Sequence, residues 1–157
     1  MIRIKKGLDI PIYGSPAEDI VDSKKSRSAA ILGSDYIGMK PTMLVEEGDI
    51  VKIGQPLFED KKNPGVIITS PAGGKVEAIN RGDRRVLQSI VIEISHDEDS
   101  IQFDNFTLDT LVNCSPDSIR DLLIQSGMWT SFRTRPYSKV PTVKSLPANI
   151  FLSLIHI

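Results

Sequence analysis

Cysteine is almost missing from this sequence: Cys114 is the only one in 157 residues. That excludes an internal disulfide, a four-thiolate zinc site and a self-contained iron–sulfur cluster, and it fits a reducing compartment. An excess of charge is missing too. Nineteen Lys and Arg stand against 20 Asp and Glu, a formal net charge of −1, so the chain lacks the basic balance that nucleic-acid binding favours. No run approaches the roughly 18–20 apolar residues that a membrane-spanning helix needs. The early Lys5-Lys6 pair has no apolar stretch behind it, so a secretory signal is not expected. No G-x-G-x-x-G follows a candidate strand, which excludes a Rossmann nucleotide site, and Gly73-Gly74-Lys75 lacks P-loop spacing. What remains is ordinary soluble composition, 40% apolar and 25% charged.

What is present is turn chemistry. From Thr42 onward "TMLVEE", "IVKIG", "QPLFED", "VIITS", "KVEAI" and "VLQSIVIEI" read as strands. Gly48-Asp49, Gly54-Gln55, Asn63-Pro64-Gly65, Gly73-Gly74 and Gly82-Asp83 punctuate them. Short strands with closely spaced turns predict a small closed sandwich or barrel over residues 43–94, since closure leaves few exposed edges. Ile2 and Ile4 alternate with polar neighbours as a short strand, and residues 1–42 are expected to pack alongside as strands and a loop. Residues 95–107 are acidic and polar, an expected linker. "CSPDSIRDLLIQSG" then predicts a helix, with Ser115 as N-cap, Pro116 first, Asp117 in the first turn and Gly127 as terminator. Ile119, Leu122 and Leu123 form its apolar stripe. Residues 108–151 thus begin an α/β domain. The aromatic, arginine and proline-rich stretch after Met128 is expected to find its packing partners outside this chain.

The stretch "EEGDIVKIGQPLFEDKKNPGVIITSPAGGKVEAI" resembles biotinyl and lipoyl carrier domains, in which a lysine between such landmarks bears the cofactor. Lys61 and Lys62 are the candidates. Asp60, however, stands about two residues further from Ser70-Pro71 than in the lipoyl pattern, an insertion that keeps strand faces but reshapes the loop. Asn63-Pro64-Gly65 then occupies the tip and both lysines its shoulder, and no Met flanks either lysine as in the biotin pattern. A longer resemblance runs from Met1 to Phe151. "IKKGLDIPI", "GMKPTMLVEEGDIVKIGQPLFEDKKNPGVIITSPAGGKVEAINRGDRRVLQSIVIE" and "SGMWTSFRTRPYSKVP" are similar to the A subunits of the Na⁺-translocating NADH:quinone oxidoreductases. The C subunit of the related Rnf complex is a more distant resemblance, and it carries iron–sulfur cysteines that this chain lacks.

This resemblance implies a mainly β chain with an α/β C-terminal part, a barrel-sandwich hybrid followed by the start of a second domain. It implies an accessory subunit on the cytoplasmic face of the inner membrane, without catalytic residues or cofactors of its own. The complex would pass electrons from NADH to ubiquinone and export Na⁺, with FMN, FAD, riboflavin and the 2Fe–2S centre on partner subunits. Members of that family are about three times this length, which makes an N-terminal portion the expectation. Leu152 to Ile157, His156 included, is what CTG TCT CTT ATA CAC ATC would encode, and it resembles a sequencing-library adaptor. These positions are therefore expected to be foreign to the family.

Candidate sites follow. Trp129, Phe132, Arg133, Arg135 and Tyr137 place aromatics beside guanidinium groups, which can stack a planar quinone ring and hydrogen-bond its carbonyls, with Tyr36 and Met39 as co-liners. Core packing with carboxylate pairing accounts for the same residues equally well. Arg81, Arg84 and Arg85 around Gly82-Asp83 form either a solvated hairpin tip or a docking point for an acidic face of another subunit. Lys24, Lys25 and Arg27 read as a solvated turn. His96 among Asp97, Glu98 and Asp99 offers a lone imidazole without ligand geometry, hence no expected metal site. Cys114 precedes a helix N-cap but has no histidine base nearby in sequence, and reads as structural.

Overall fold

The computed structural model describes residues 13–15, 17–21 and 24–146. The expected Ile2–Ile4 strand and the terminal hexapeptide lie outside these residues. In chain order the strands are β1 (Ser28–Leu32), β2 (Pro41–Met43), β3 (Ile50–Val51), β4 (Pro56–Asp60), β5 (Ile67–Thr69), β6 (Gly74–Arg81) and β7 (Leu87–Ile94). They form two antiparallel sheets, one ordered β1-β7-β6-β3 and the other β2-β4-β5.

The alternation in the sequence becomes the two faces of these strands. Val76, Ile90 and Ile92 from the larger sheet and Leu57, Phe58 and Ile68 from the smaller one are buried in a single apolar cluster, while Lys75, Glu77, Gln88 and Glu93 stay exposed. β1 shows half-buried Ala29 and Ile31 between exposed neighbours, and pairs with β7 from Ser28↔Glu93 to Leu32↔Ser89. Irregular register in β6–β7 at Val76/Ala78 and Asn80/Arg81 bends the long hairpin, as bulges do. Pro56 opens β4, a position that asks no ladder bond of its missing N–H.

The acidic segment expected as a linker is pinned to the barrel instead. Ser95 N–H donates to the Gly73 carbonyl (2.9 Å), Ile53 N–H to the Asp99 carbonyl (2.8 Å) and Ile101 N–H to the Ile53 carbonyl (2.9 Å), so Ile53 and Ser100 form a parallel bridge. Glu98 accepts the Gly73 N–H, and Lys52 pairs with Asp99 at 2.6 Å. These contacts are mostly main-chain, which is why composition gave no warning of them.

Beyond it come α1 (Leu108–Leu111), closed by a Thr107/Thr110 capping box, and α2 (Pro116–Gln125). Ser115 caps α2 as expected, its hydroxyl accepting the Ser118 N–H at 3.1 Å. Gly127 follows at φ +75° and turns the chain so that Trp129, in a 3₁₀ turn over Met128–Ser131, enters the barrel's own core. Leu123, Ile124, Val140 and Val143 pack against the same cluster. The expectation that this stretch needs partners from elsewhere is thus overturned for Trp129, because the barrel offers the apolar surface it requires. Among the described residues no helix is long and apolar enough to cross a membrane.

Candidate functional site

Two elements that are far apart in sequence meet at one end of the smaller sheet. After β1 a 3₁₀ turn over Gly33–Asp35 delivers Tyr36, whose ring stands edge-on to buried Phe58 at 6.2 Å and 89°. Met39, three residues on, is half-buried against the core. From the other side, buried Trp129 donates its indole N–H to the Pro141 carbonyl (3.0 Å) and meets Phe132 edge-on at 5.3 Å. Arg133 then lays its guanidinium 5.9 Å from the Tyr36 ring centroid. The same guanidinium donates to the Thr130 and Phe132 carbonyls. Burial pushes the Tyr36 phenol above its ordinary pKa. The charge on Arg133 pulls it back, Asp35 pushes it further up, and a hydrogen bond with the Thr130 side chain also lowers it.

Tyr36, Met39, Trp129, Phe132 and Arg133 are therefore neighbours of one core surface. Arg135 and Tyr137 are not drawn in. They occupy the exposed turn closed by Thr134 and Lys139 (Thr134 N–H to Lys139 carbonyl, 2.8 Å), and Tyr137 is 74% exposed. A cleft of about 260 Å³ opens beside Tyr36 and Met39, with Lys62, Lys139, Val140 and Thr142 also on its wall. The last three were not singled out from sequence. Asn63, in the turn chemistry of the β4–β5 connection, was the available signal, since a polar tip residue can hold a distant main chain.

That tip is clasped. The Asn63 amide donates to the carbonyls of Val140 (3.3 Å) and Pro141 (3.0 Å). Gly65, at φ +89°, leaves room for Val143 where a Cβ would lie 3.3 Å from it. Lys62 reaches back to donate its amine to the Gly38 carbonyl (2.9 Å), while exposed Lys61 donates its backbone N–H to the Lys40 carbonyl. A carrier's modified lysine sits on a free tip from which an arm can swing. The clasped tip and the engaged Lys62 amine do not fit such a group.

Elsewhere, His96 is exposed and its ring meets only the adjacent Asp97, at 3.1 Å. No group of three or more His, Cys, Asp or Glu among the described residues is placed to hold a metal. Cys114 is half-buried and donates to the Thr110 carbonyl. The β6–β7 connection holds Asp83–Arg85 in a 3₁₀ turn, with Arg84 and Arg85 at φ +54° and +61°. Such left-handed conformations cost roughly 1–3 kcal/mol for a side chain other than glycine.

Comparison with known proteins places these features in a family. Residues 2–95 match the NqrA N-terminal barrel-sandwich hybrid domain, and residues 114–157 match the NqrA second alpha/beta domain. The A subunit of the Na(+)-translocating NADH-quinone reductase of Yersinia pseudotuberculosis serotype O:1b is 54% identical over 153 residues, covering 98% of this chain and 34% of the relative. The protein of the same name from Alcanivorax borkumensis is 52% identical over 155 residues, covering 99% and 35%. That from Actinobacillus pleuropneumoniae serotype 5b is 52% identical over 153 residues, covering 98% and 34%. The chain spans about a third of the length of these relatives.

Proposed function

Since this chain belongs to the NqrA family, we propose that it forms part of the A subunit of a Na⁺-translocating NADH:quinone reductase and serves there as an accessory, non-catalytic module. What carries this is the tandem match of barrel and second domain, in that order, along one chain. The closed β4–β5 tip supports a packing role over a carrier role, because the turn that would present an arm is spent on holding residues 140–143. In the proposed setting the module lies on the cytoplasmic face of the membrane, held there through other subunits. FMN, FAD, riboflavin and the 2Fe–2S centre belong to those subunits, which carry electrons from NADH towards ubiquinone while Na⁺ is exported.

The module's own contribution is to shape quinone access. Tyr36 and Met39 line a cleft, with the Arg133 guanidinium over the Tyr36 ring and the Trp129–Phe132 pair a few residues before it in the chain. A quinone carbonyl in that cleft can accept a hydrogen bond from the Tyr36 phenol. Arg135 and Tyr137 reach a ligand only where a partner closes over their exposed turn. The test is the assembled complex with and without its full-length NqrA-type subunit. Omission should leave NADH oxidation by a soluble electron acceptor near normal, yet lower quinone reduction and Na⁺ uptake by about tenfold or more, equivalent to about 1.4 kcal/mol of barrier. Unchanged quinone reduction would overturn the accessory role. A photoreactive quinone analogue should label residues 36–39 or 129–133, and labels confined to other subunits would remove the quinone contact while leaving the scaffold.

A further inference from the structure

The end of the β6–β7 hairpin combines three properties. It is rigid: Gly82 N–H donates to the Val86 carbonyl (2.8 Å), Arg85 N–H to the Gly82 carbonyl (3.1 Å) and Val86 N–H to the Asp83 carbonyl (3.2 Å). The Arg81 guanidinium adds a contact to the Arg85 carbonyl at 3.4 Å. It is exposed, with Arg81, Asp83, Arg84, Arg85 and Val86 all open to solvent. It is also cationic and not paired to a carboxylate, since none of the three arginines makes an ion pair among the described residues.

Backbone conformation adds a fourth property. Arg84 and Arg85 sit consecutively in the left-handed region, where glycine or asparagine would sit with less strain. Solubility alone asks for neither arginine nor this conformation. Guanidinium groups on a fixed backbone suit planar, two-pronged recognition of carboxylates, and pre-ordering lowers the entropy lost on docking. Arg81 shares a shallow groove with Glu46 and Glu47 and spends a donor on the Arg85 carbonyl, which leaves Arg84 and Arg85 as the arginines of the set without a side-chain hydrogen bond or ion pair among the described residues.

We propose that the Gly82–Val86 tip, led by Arg84 and Arg85, docks onto a carboxylate-bearing face of another subunit of the complex, an inference that rests on the role in the complex proposed above. A folded protein face is favoured over an anionic lipid surface by the turn itself. It carries no aromatic residue to enter a headgroup layer and only Val86 as an exposed apolar side chain. Asp83 sits among the arginines, which suits a discrete charge pattern better than a uniformly negative sheet.

The test uses the full-length protein together with the remaining subunits, purified without it. Arg84→Gly/Arg85→Gly removes both guanidiniums and relaxes both left-handed positions. The isolated variant should melt at the same temperature as the wild type or a few degrees higher. Its affinity for the remaining subunits should fall about tenfold at ~50 mM salt, a difference that shrinks towards ~1 M salt as charges are screened. Unchanged affinity and salt dependence overturn the proposal. A lower melting temperature of the isolated variant also overturns it, by assigning the arginines to a contact within the protein. If only flotation on vesicles rich in anionic phospholipid is lost, the tip is a lipid contact and the proposal fails. Failure of the wild-type protein to bind the other subunits would instead strike the role in the complex itself.

Discussion

Gly127 meets two constraints at once. Its φ of +75° disfavours any side chain, and a Cβ there would lie 2.6 Å from Thr69 Oγ1, which itself donates to the Ser126 carbonyl at 3.3 Å. Gly127→Ala is therefore expected to cost roughly 2–4 kcal/mol, read from urea unfolding of the full-length protein. A change below about 1 kcal/mol would mean that the helix end tolerates relaxation. Tyr36 makes a different prediction. Its raised pKa means that the folded chain keeps the phenolic proton where the unfolded chain, with a value near 10.0, has begun to lose it. The associated stability is full below that pH and falls as pH rises through the folded value. Unfolding midpoints measured between about pH 9 and 11 should drop more steeply for wild type than for Tyr36→Phe. Parallel slopes would assign the alkaline loss to other groups.

At the level of elements, α2 was legible because its start and stop are written in side chains: Ser115, Pro116 and Gly127 each do locally what a helix end requires. Most strands of the two sheets were legible for the same reason, from alternation and turn residues, but β1 was not, since it lies outside the expected barrel span of residues 43–94 and yet pairs with β7. The acidic segment was not, because its attachment through Ser95, Asp99 and Ile101 runs along the main chain, which every residue type shares. This contrast gives a test. Ile101→Pro deletes the N–H that bonds to Ile53 and should speed proteolytic cleavage within residues 95–105 about tenfold. Asp99→Ala removes the exposed pair with Lys52 and the acceptor for the neighbouring Ser100 N–H, but no main-chain bond to the barrel, and should leave cleavage nearly unchanged. Equal effects would shift the credit from backbone to charge. The candidate site was legible as a set of residue types but not as a place. Nothing local in the sequence brings Arg133 over Tyr36 or leaves Arg135 and Tyr137 outside, since both outcomes depend on how the second part seats on the barrel.

On the scale of the molecule, barrel and second part share one apolar cluster, with Trp129 as its contribution from the far end. Within this chain Trp129 is also the only tryptophan. Its fluorescence and the β-sheet signal in far-ultraviolet circular dichroism should therefore change together on urea unfolding of the polypeptide spanning residues 1–157. Separate transitions would show that the helix and its 3₁₀ turn detach before the barrel opens. The clasp on the β4–β5 tip carries a consequence in time. Asn63 waits for carbonyls 77 and 78 positions downstream, which a ribosome adding ~5–20 residues per second delivers only after roughly 4–16 s. Each newly made chain thus passes through an interval in which the β4–β5 tip is not yet clasped. The arrival of Val140 and Pro141 ends that interval and fixes the turn.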